Sequence, residues 1–233
     1  MRSGGQMDSE VKILYEDNHV IVAVKPAGVL SQSDGRGAPD MLTILKKYIK
    51  EKYSKPGEVF LGLLHRLDRP VSGVMVFART SKAASRLSSQ IREKSFVKCY
   101  RAVAEGRLEG EGRLVNYLLK DPKTNTVKVF DEEVTDSKRC DLEYKALGHA
   151  EGLTLVDIRL GSGRSHQIRS QLAHTGHPLA GDRKYGSTTK RDCDIALFAY
   201  KLGFVHPTIK EYMEFETENP SGWPWNLDFE AEK

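Results

Sequence analysis

Cysteine and long apolar runs are what this sequence most clearly lacks. The 233 residues contain 3 cysteines, Cys99, Cys140 and Cys193, and none of them forms a CxxC pair. Neither a disulfide framework nor a structural zinc site is therefore expected. No stretch approaches the roughly 18 apolar residues of a membrane-spanning helix. Residues 1–10 lack the apolar segment of a signal peptide, which predicts a flexible tail on a cytoplasmic protein.

Charge is moderate overall but unevenly distributed. The net charge of +4 and the 39% hydrophobic and 29% charged residues are those of an ordinary globular protein. Positive residues concentrate in two segments, His65–Arg69 and Arg164–Arg191. Folded together, these segments could form a basic cleft that follows RNA phosphates, although a solvated basic surface has the same composition. No internal repeat or low-complexity linker divides the chain, so its length permits one large domain.

The most informative segment is HRLDRPVSG, His65 to Gly73, because it lies between two apolar, strand-like runs. A carboxylate at the end of a strand is held by a rigid scaffold, which makes Asp68 a candidate for chemistry. The same letters also suit a simple turn that begins with an aspartate. The segment alone does not separate the two interpretations.

A second polar block, GSGRSHQIRSQLAHTGHPLAGDRKYG, spans Gly161 to Gly186. Its pattern predicts a helix over Gln167–His174, with Ser165 as the N-cap and with Ile168 and Leu172 on the core face. After this helix the run PLAGDRKYG is typical of a tight, basic loop. The histidines of the block have no accompanying cysteine or carboxylate set, so no metal site is expected.

The remaining pattern is mainly strands with a few helices between them. Helices are predicted over Asp40–Tyr53 and Lys82–Glu93, the second capped by Thr80 or Ser81. The predicted strands are Val11–Tyr15, Val20–Lys25, Phe60–Leu64, Gly73–Ala78, Phe96–Ala104, Cys140–Ala146, Leu153–Leu160 and Glu211–Glu216. Loops are predicted at Gly110–Gly112 and Asp131–Ser137, and they bound an insertion-like region around Asn116–Asp131. Strands without a βαβ rhythm indicate an α+β domain with a largely antiparallel sheet.

Three motifs resemble those of the RluA family of RNA pseudouridine synthases. HRLDRPVSG is similar to that family's HRLD-x-x-TSG motif, KPAG (Lys25–Gly28) to its first motif, and GRSHQIRSQLAHTGHPLAGDRKYG to its third. The three occur in the family's order, and the likeness runs roughly from Ile13 to Pro207. Val71 departs from the family's usual threonine. The resemblance implies the pseudouridine synthase fold, a central mixed sheet with flanking helices and loops around an active-site cleft.

The resemblance also implies the activity and its principal residues. The reaction isomerises uridine within RNA, with neither a metal nor another cofactor. Asp68 matches the essential carboxylate, and Arg169 matches the arginine that pairs with it. Tyr100 matches the tyrosine that stacks on uracil, although the strand pattern alone would make it a half-buried core residue. Arg66 matches the arginine that reaches into the RNA beside the flipped nucleotide.

Further contacts with the substrate are expected from the same motifs. Lys25 and Arg164 are predicted to contact phosphates, and His166 and Gln167 to orient the substrate by hydrogen bonds. Residues 11–233 are expected to form a single catalytic domain without the N-terminal RNA-binding domain that many relatives carry. The expected partner is a transfer RNA or a ribosomal RNA stem-loop, bound by a monomer that is not attached to a membrane.

Two other functions remain open from the residues alone. Asp68 with a second carboxylate such as Asp182 would suit a nucleoside or glycoside hydrolase. A non-catalytic RNA-binding module or RNA-folding helper would keep the basic segments without using Asp68 for chemistry. His65 and Ser72 suggest a serine hydrolase, but the sequence has no GxSxG motif and both residues are expected to support the loop.

Overall fold

The computed structural model describes residues 11–231, in which all twelve strands belong to one sheet. The predicted tail over residues 1–10 lies outside the described residues. The strands are β1 Ile13–Glu16, β2 Val20–Lys25, β3 Gly62–Leu63, β4 Ser72–Ala78, β5 Val97–Glu105, β6 Glu111–Asp121, β7 Thr126–Phe130, β8 Lys138–Ala150, β9 Leu153–Leu160, β10 Leu197–Val205, β11 Tyr212–Glu216 and β12 Glu230–Ala231. The helices are α1 Met41–Lys52, α2 Ser81–Arg92 and α3 Gln167–His174, and Arg183–Tyr185 form a 3-10 turn.

The sheet is mixed but largely antiparallel, as the sequence predicted. Its main order is β1-β2-β4-β10-β5-β9-β8-β6-β7, while β11 pairs with β10, β12 with β8 and β3 with β4. Strands β4 and β10 form a parallel pair, with Ser72 opposite Phe198 and Gly73 opposite Ala199. Between residues 11 and 231, no helix is long and apolar enough to cross a membrane.

Apolar residues lie on both faces of the sheet because the central strands are covered on both sides. In β2, Ile21 and Ala23 belong to the core beneath α1 and α3, whereas Val20 and Val22 belong to the core beneath α2. Successive side chains of a strand point to opposite faces, so a continuous apolar run such as VIVAV fills both cores. The face with α1 and α3 also carries Tyr100, and this is the face on which the site forms.

Helix starts follow local capping rules in two helices and depart from them in the third. Asp40 accepts a hydrogen bond from the Thr43 amide at 3.1 Å, and Thr80 accepts one from the Ala83 amide at 3.1 Å. The predicted cap Ser165 is wrong. Helix α3 is instead preceded by His166, whose φ of 52° is left-handed and whose side chain makes no capping hydrogen bond. That side chain is turned toward the site.

The insertion-like region around Asn116–Asp131 is a hairpin of β6 and β7. The predicted loop over Asp131–Ser137 joins β7 to β8, whereas the predicted loop over Gly110–Gly112 is wrong at Gly112, which lies in β6. Strand β6 pairs with β8 over Glu111–Leu118 and with β7 over Tyr117–Asp121. The Gln171 amide in α3 donates to the Asn116 side chain at 2.7 Å and ties the hairpin to this helix. Strand β10 was not predicted either.

Gly73 sits where the catalytic segment enters β4, and we expect Gly73→Ala to be strongly destabilising. Its φ is 138°, and an added Cβ would lie 2.3 Å from the Ala199 carbonyl oxygen. Backbone strain and overpacking together should lower the free energy of unfolding by roughly 2–5 kcal/mol. Denaturant melts check this against Gly57→Ala, where nothing lies within 4 Å of the added Cβ. Equal stability of the two variants would contradict the close approach.

Candidate active site

The loop that carries Asp68 joins β3 to β4 and is fastened on both sides of the aspartate. The Ser31 hydroxyl donates to the Leu67 carbonyl at 2.9 Å and accepts from the Leu67 amide at 3.0 Å. On the other side, the Gly28 amide donates to the Arg69 carbonyl at 2.9 Å, and the Arg69 side chain returns a bond to the Gly28 carbonyl. Asp68 is therefore held between two anchored neighbours.

Lys25 belongs to this support, and the predicted phosphate contact is contradicted. Its side chain is 0% exposed. The ammonium donates to the carbonyls of Pro26, Val29 and Arg69 at 3.0, 2.7 and 3.1 Å, which uses its three donors. Burial lowers the pKa of Lys25 to about 8, against the opposing effect of the Asp68 charge. Lys25 therefore organises the segment behind Asp68 and presents no ammonium to solvent.

Arg169 in α3 joins two carboxylates, and the predicted ion pair with Asp68 is confirmed. Its Nη1 donates to Asp68 Oδ2 at 2.9 Å, while Nε and Nη2 donate to the two oxygens of Asp182 at 2.6 and 2.9 Å. Asp182 is 1% exposed and Arg169 5%. Although burial lowers the pKa of Arg169, the hydrogen bonds and charges of Asp182 and Asp68 raise it above its ordinary value. The guanidinium is therefore a fixed cation that donates one hydrogen bond to Asp68 and two to Asp182.

His166 lies beside this pair. Its Nε2 is 3.8 Å from Asp68 Oδ2, and its Nδ1 is 2.7 Å from the Tyr185 hydroxyl. That hydroxyl accepts a hydrogen bond from the Val127 amide, so its own proton is free for His166 Nδ1. This arrangement places the histidine proton on Nε2, toward Asp68. Burial, with the nearby Arg169, Lys184 and Lys120 charges, lowers the pKa of His166 more than Asp68 raises it.

A narrow cavity of about 50 Å³ opens at Asp68. Every predicted site residue except Lys25 lines it, together with the apolar Leu67, Val71, Leu160, Ile168 and Leu197. Tyr100 is 7% exposed and comes from β5, opposite Ile158 of β9. The site therefore combines an apolar slot, suited to a flat base, with one carboxylate and one guanidinium at its polar end.

Gln167 lines this cavity, and His65 lies in the segment before Asp68; both make hydrogen bonds within the protein. Gln167 is buried, its Oε1 accepts from the Ser162 hydroxyl and the Arg164 amide, and its Nε2 donates to the Asp141 carbonyl. These bonds order the loop around Ser162 and Arg164, and the contact of Gln167 with the substrate stays a prediction. His65 Nε2 accepts from the Val76 amide, and burial lowers the pKa of His65 to about 3.

Arg66 and Arg164 are exposed at the mouth of the cavity. Neither side chain makes a hydrogen bond or an ion pair to any residue between 11 and 231. Their position leaves both guanidinium groups available to a polyanion. In the same part of the chain, no group of three or more histidine, cysteine, aspartate or glutamate residues could hold a metal ion.

Comparison with known proteins places this geometry in a family. Residues 19–174 match the family described as RNA pseudouridylate synthase. An uncharacterized RNA pseudouridine synthase of Aquifex aeolicus (strain VF5) is 33% identical over 223 residues, covering 90% of this chain and 70% of the relative. The chain belongs to the RNA pseudouridylate synthase family. It is an enzyme of the isomerase class, and the resemblance drawn from its motifs is confirmed.

Two further comparisons agree with the family. The ribosomal large subunit pseudouridine synthase D of Zymomonas mobilis subsp. mobilis (strain ATCC 31821 / ZM4 / CP4) is 31% identical over 224 residues, covering 91% of this chain and 70% of the relative. The solved structure of human RNA pseudouridylate synthase domain containing 1 has a TM-score of 0.74 at 22% identity, covering 95% of this chain and 89% of that one. The structural likeness confirms the predicted pseudouridine synthase fold.

Two residues support the active site of this pseudouridylate synthase in a way that the sequence did not predict. Asp182 was considered as the second carboxylate of a hydrolase, but both its oxygens bind Arg169, and it is 1% exposed and does not line the cavity at Asp68. Tyr185 bonds His166 and lies under Arg169, with 5.2 Å between the guanidinium carbon and the ring centroid. Their signal in the sequence was the run GDRKYG at the end of the third motif.

Proposed function

We propose that this chain converts specific uridines of ribosomal RNA or transfer RNA to pseudouridine, with Asp68 as the essential carboxylate. The observation that carries the proposal is the Asp68–Arg169 pair, joined at 2.9 Å at the polar end of an apolar slot. The charge-assisted hydrogen bond from the guanidinium fixes the position of the carboxylate oxygen. Asp68 is thereby held in one orientation for attack as a nucleophile or for work as a base.

The reaction needs few groups. The bond between uracil N1 and the sugar breaks, the detached base turns, and a bond forms between ring carbon 5 and the sugar. The proton on carbon 5 is lost, and N1 takes up a proton from solvent, so the product is an isomer of uridine. Asp68 can attack the anomeric carbon or the uracil ring, or stabilise positive charge on the sugar. The walls of the surrounding slot confine the free base while it turns. Because these walls are apolar, they also exclude water that would compete for the sugar.

The RNA is proposed to enter past Arg66 and Arg164. The target nucleotide must leave its stack, which costs a few kcal/mol, and Arg66 is placed to brace the gap. A relative named for the ribosomal large subunit supports ribosomal RNA as the first candidate, and transfer RNA is the second. We propose that a monomer acts on a stem-loop in the cytoplasm.

Incubating the purified chain with uridine-containing transcripts of both RNA classes tests the activity. The RNA is digested to nucleosides and separated by chromatography. Pseudouridine without free uracil is expected. Free uracil would instead support a hydrolase, and unchanged RNA that still binds would support a non-catalytic RNA-binding role.

Tyr100 is proposed to stack on the uracil and to act on carbon 5, and two variants separate these roles. Burial, with the Asp68 charge, raises the pKa of the Tyr100 hydroxyl, so it stays protonated at neutral pH. Tyr100→Ala should weaken RNA binding by roughly 1–3 kcal/mol, the usual contribution of one base stacked on an aromatic ring. Tyr100→Phe keeps the ring and should bind nearly normally while turning over more slowly. Filter-binding and single-turnover assays measure the two effects, and equal binding by Tyr100→Ala would refute stacking.

A further inference from the structure

A second and much larger cavity adjoins the first. It measures about 660 Å³, against about 50 Å³ for the cavity at Asp68, and the two share Arg66, Tyr100, Leu160 and Arg164. A bound RNA segment that places one nucleotide at Asp68 must therefore pass through or over this space. The residues lining it include several cations but no carboxylate.

Among the cations lining this cavity, Arg66 and Arg164 are exposed to solvent, whereas Lys98 is half-buried and also lacks a partner. Lys94, another lining residue, is 3.5 Å from a carboxylate oxygen of Asp141. Lys98 makes no hydrogen bond or ion pair to any residue from 11 to 231, although its side chain is half-buried. Burial lowers its pKa, and its charge contributes to the low pKa of His65. A cation that is partly removed from water without a counter-ion destabilises the free protein.

Lys98 is positioned beside the catalytic tyrosine. Both residues belong to β5, two positions apart, so their side chains point to the same face about 7 Å from each other. Across from Lys98 is a residue without a side chain: a Cβ added to Gly163 would lie 3.3 Å from the Lys98 ammonium nitrogen. The glycine leaves the ammonium accessible from the cavity.

The rest of the cavity suits a nucleobase. Leu63, Leu64 and Phe96 form apolar parts of its wall, while the ammonium of Lys98 provides a half-buried positive charge. An apolar wall beside an isolated cation is the pattern that recognises a base and its phosphate together.

We propose that this second cavity binds the nucleotide next to the target uridine, and that Lys98 pairs with the phosphodiester that links the two. The proposal rests on the proposed function, because it places the target at Asp68. It assigns Lys98 to substrate binding and gives the enzyme a contact with the RNA backbone one residue away from the reacting base.

The contact is tested by removing the charge either from Lys98 or from the phosphodiester. The substrate is an RNA stem-loop containing the target uridine, with a neutral methylphosphonate at the linkage before or after that uridine. The protein variants are Lys98→Met, which keeps an unbranched chain, and Lys82→Met as a matched control. Lys82 is exposed at the start of α2, at the opposite end from Arg92, which lines the cavity.

With unmodified RNA, Lys98→Met should lose about 10- to 100-fold in affinity, the usual range for one charge-assisted contact. One of the two methylphosphonates should cost the wild type a similar factor and cost Lys98→Met nothing further. The dependence of log affinity on log salt should become shallower by about 0.7 for one phosphate of a single strand. The melting temperature of Lys98→Met should be no lower than that of the wild type. If Lys98 instead stabilised the fold, its replacement would lower the melting temperature.

Several results would overturn the proposal. One such result is that Lys98→Met binds the RNA with the affinity and salt dependence of the wild type. Another is that each of the two methylphosphonates weakens binding by Lys98→Met as much as it weakens binding by the wild type. Indifference of the wild type to both methylphosphonates would also overturn it, and that arm needs no protein variant. Binding is measured independently of product, so a wild type that forms no pseudouridine would refute the proposed function while these comparisons still decide the role of Lys98.

Discussion

Asp68→Asn is expected to abolish pseudouridine formation while leaving the fold and RNA binding nearly intact. The asparagine oxygen can still accept a hydrogen bond from Arg169, but the negative charge needed for attack or proton removal is gone. Arg169 keeps its two bonds to Asp182, so the variant leaves no buried cation unpaired. Turnover should fall on the order of 1,000-fold or more, as it does when other catalytic carboxylates are neutralised.

Three measurements check this prediction together. Single-turnover rates report the chemistry, filter binding reports the RNA complex, and thermal melts report the fold. Asp228→Asn is the matched control, because Asp228 is exposed in the C-terminal segment and does not line the cavity at Asp68. Wild-type turnover by Asp68→Asn would refute the mechanism, and a large loss of RNA affinity would show that the carboxylate mainly supports binding.

Arg169→Ala is expected to damage both stability and rate. The substitution leaves Asp182, which is 1% exposed, without its partner. Breaking one side of a buried ion pair lowers the free energy of unfolding by roughly 3–5 kcal/mol. Asp68 also loses the charge-assisted hydrogen bond that positions its oxygen, so the rate should fall roughly 100-fold or more at temperatures where the variant remains folded.

A double variant separates the two effects. In Arg169→Gln with Asp182→Asn, both buried charges are removed, so most of the lost stability should return. Activity should stay low, since Asp68 still lacks its guanidinium. Denaturant melts and single-turnover rates measure the two outcomes. If Arg169→Ala melted like the wild type, the pairing of Arg169 with Asp182 would contribute nothing to the stability of the fold. Recovery of activity in the double variant would show that the arginine acts only through folding.

Where apolar periodicity was strong, the sequence predicted the fold closely. The predicted bounds of Val20–Lys25, Leu153–Leu160 and Gln167–His174 are those of β2, β9 and α3. The hairpin of β6 and β7 was missed because exposed and half-buried residues predominate in both strands. Its stability depends on pairing with β8 and on contacts with α3, and neither is visible as a local pattern.

The candidate site was predicted through its motifs, and the errors concern the partners of individual groups. Lys25 was placed in the right motif but given a surface role, because lysines are rarely fully buried. Its burial depends on three backbone carbonyls that meet only in the folded chain. Asp182 was missed as a support because its pairing with Arg169 requires the loop after α3 to fold back.

Tritium release from RNA labelled at carbon 5 of uridine tests the central claim most directly. Replacing the bond to nitrogen by a bond to carbon 5 must expel the hydrogen at that position. The wild type should release one tritium to water for each pseudouridine found in the digested RNA, with no free uracil, and Asp68→Asn should release none. Pseudouridine formed by Asp68→Asn at the wild-type rate, or uracil liberated in place of pseudouridine, would contradict the account.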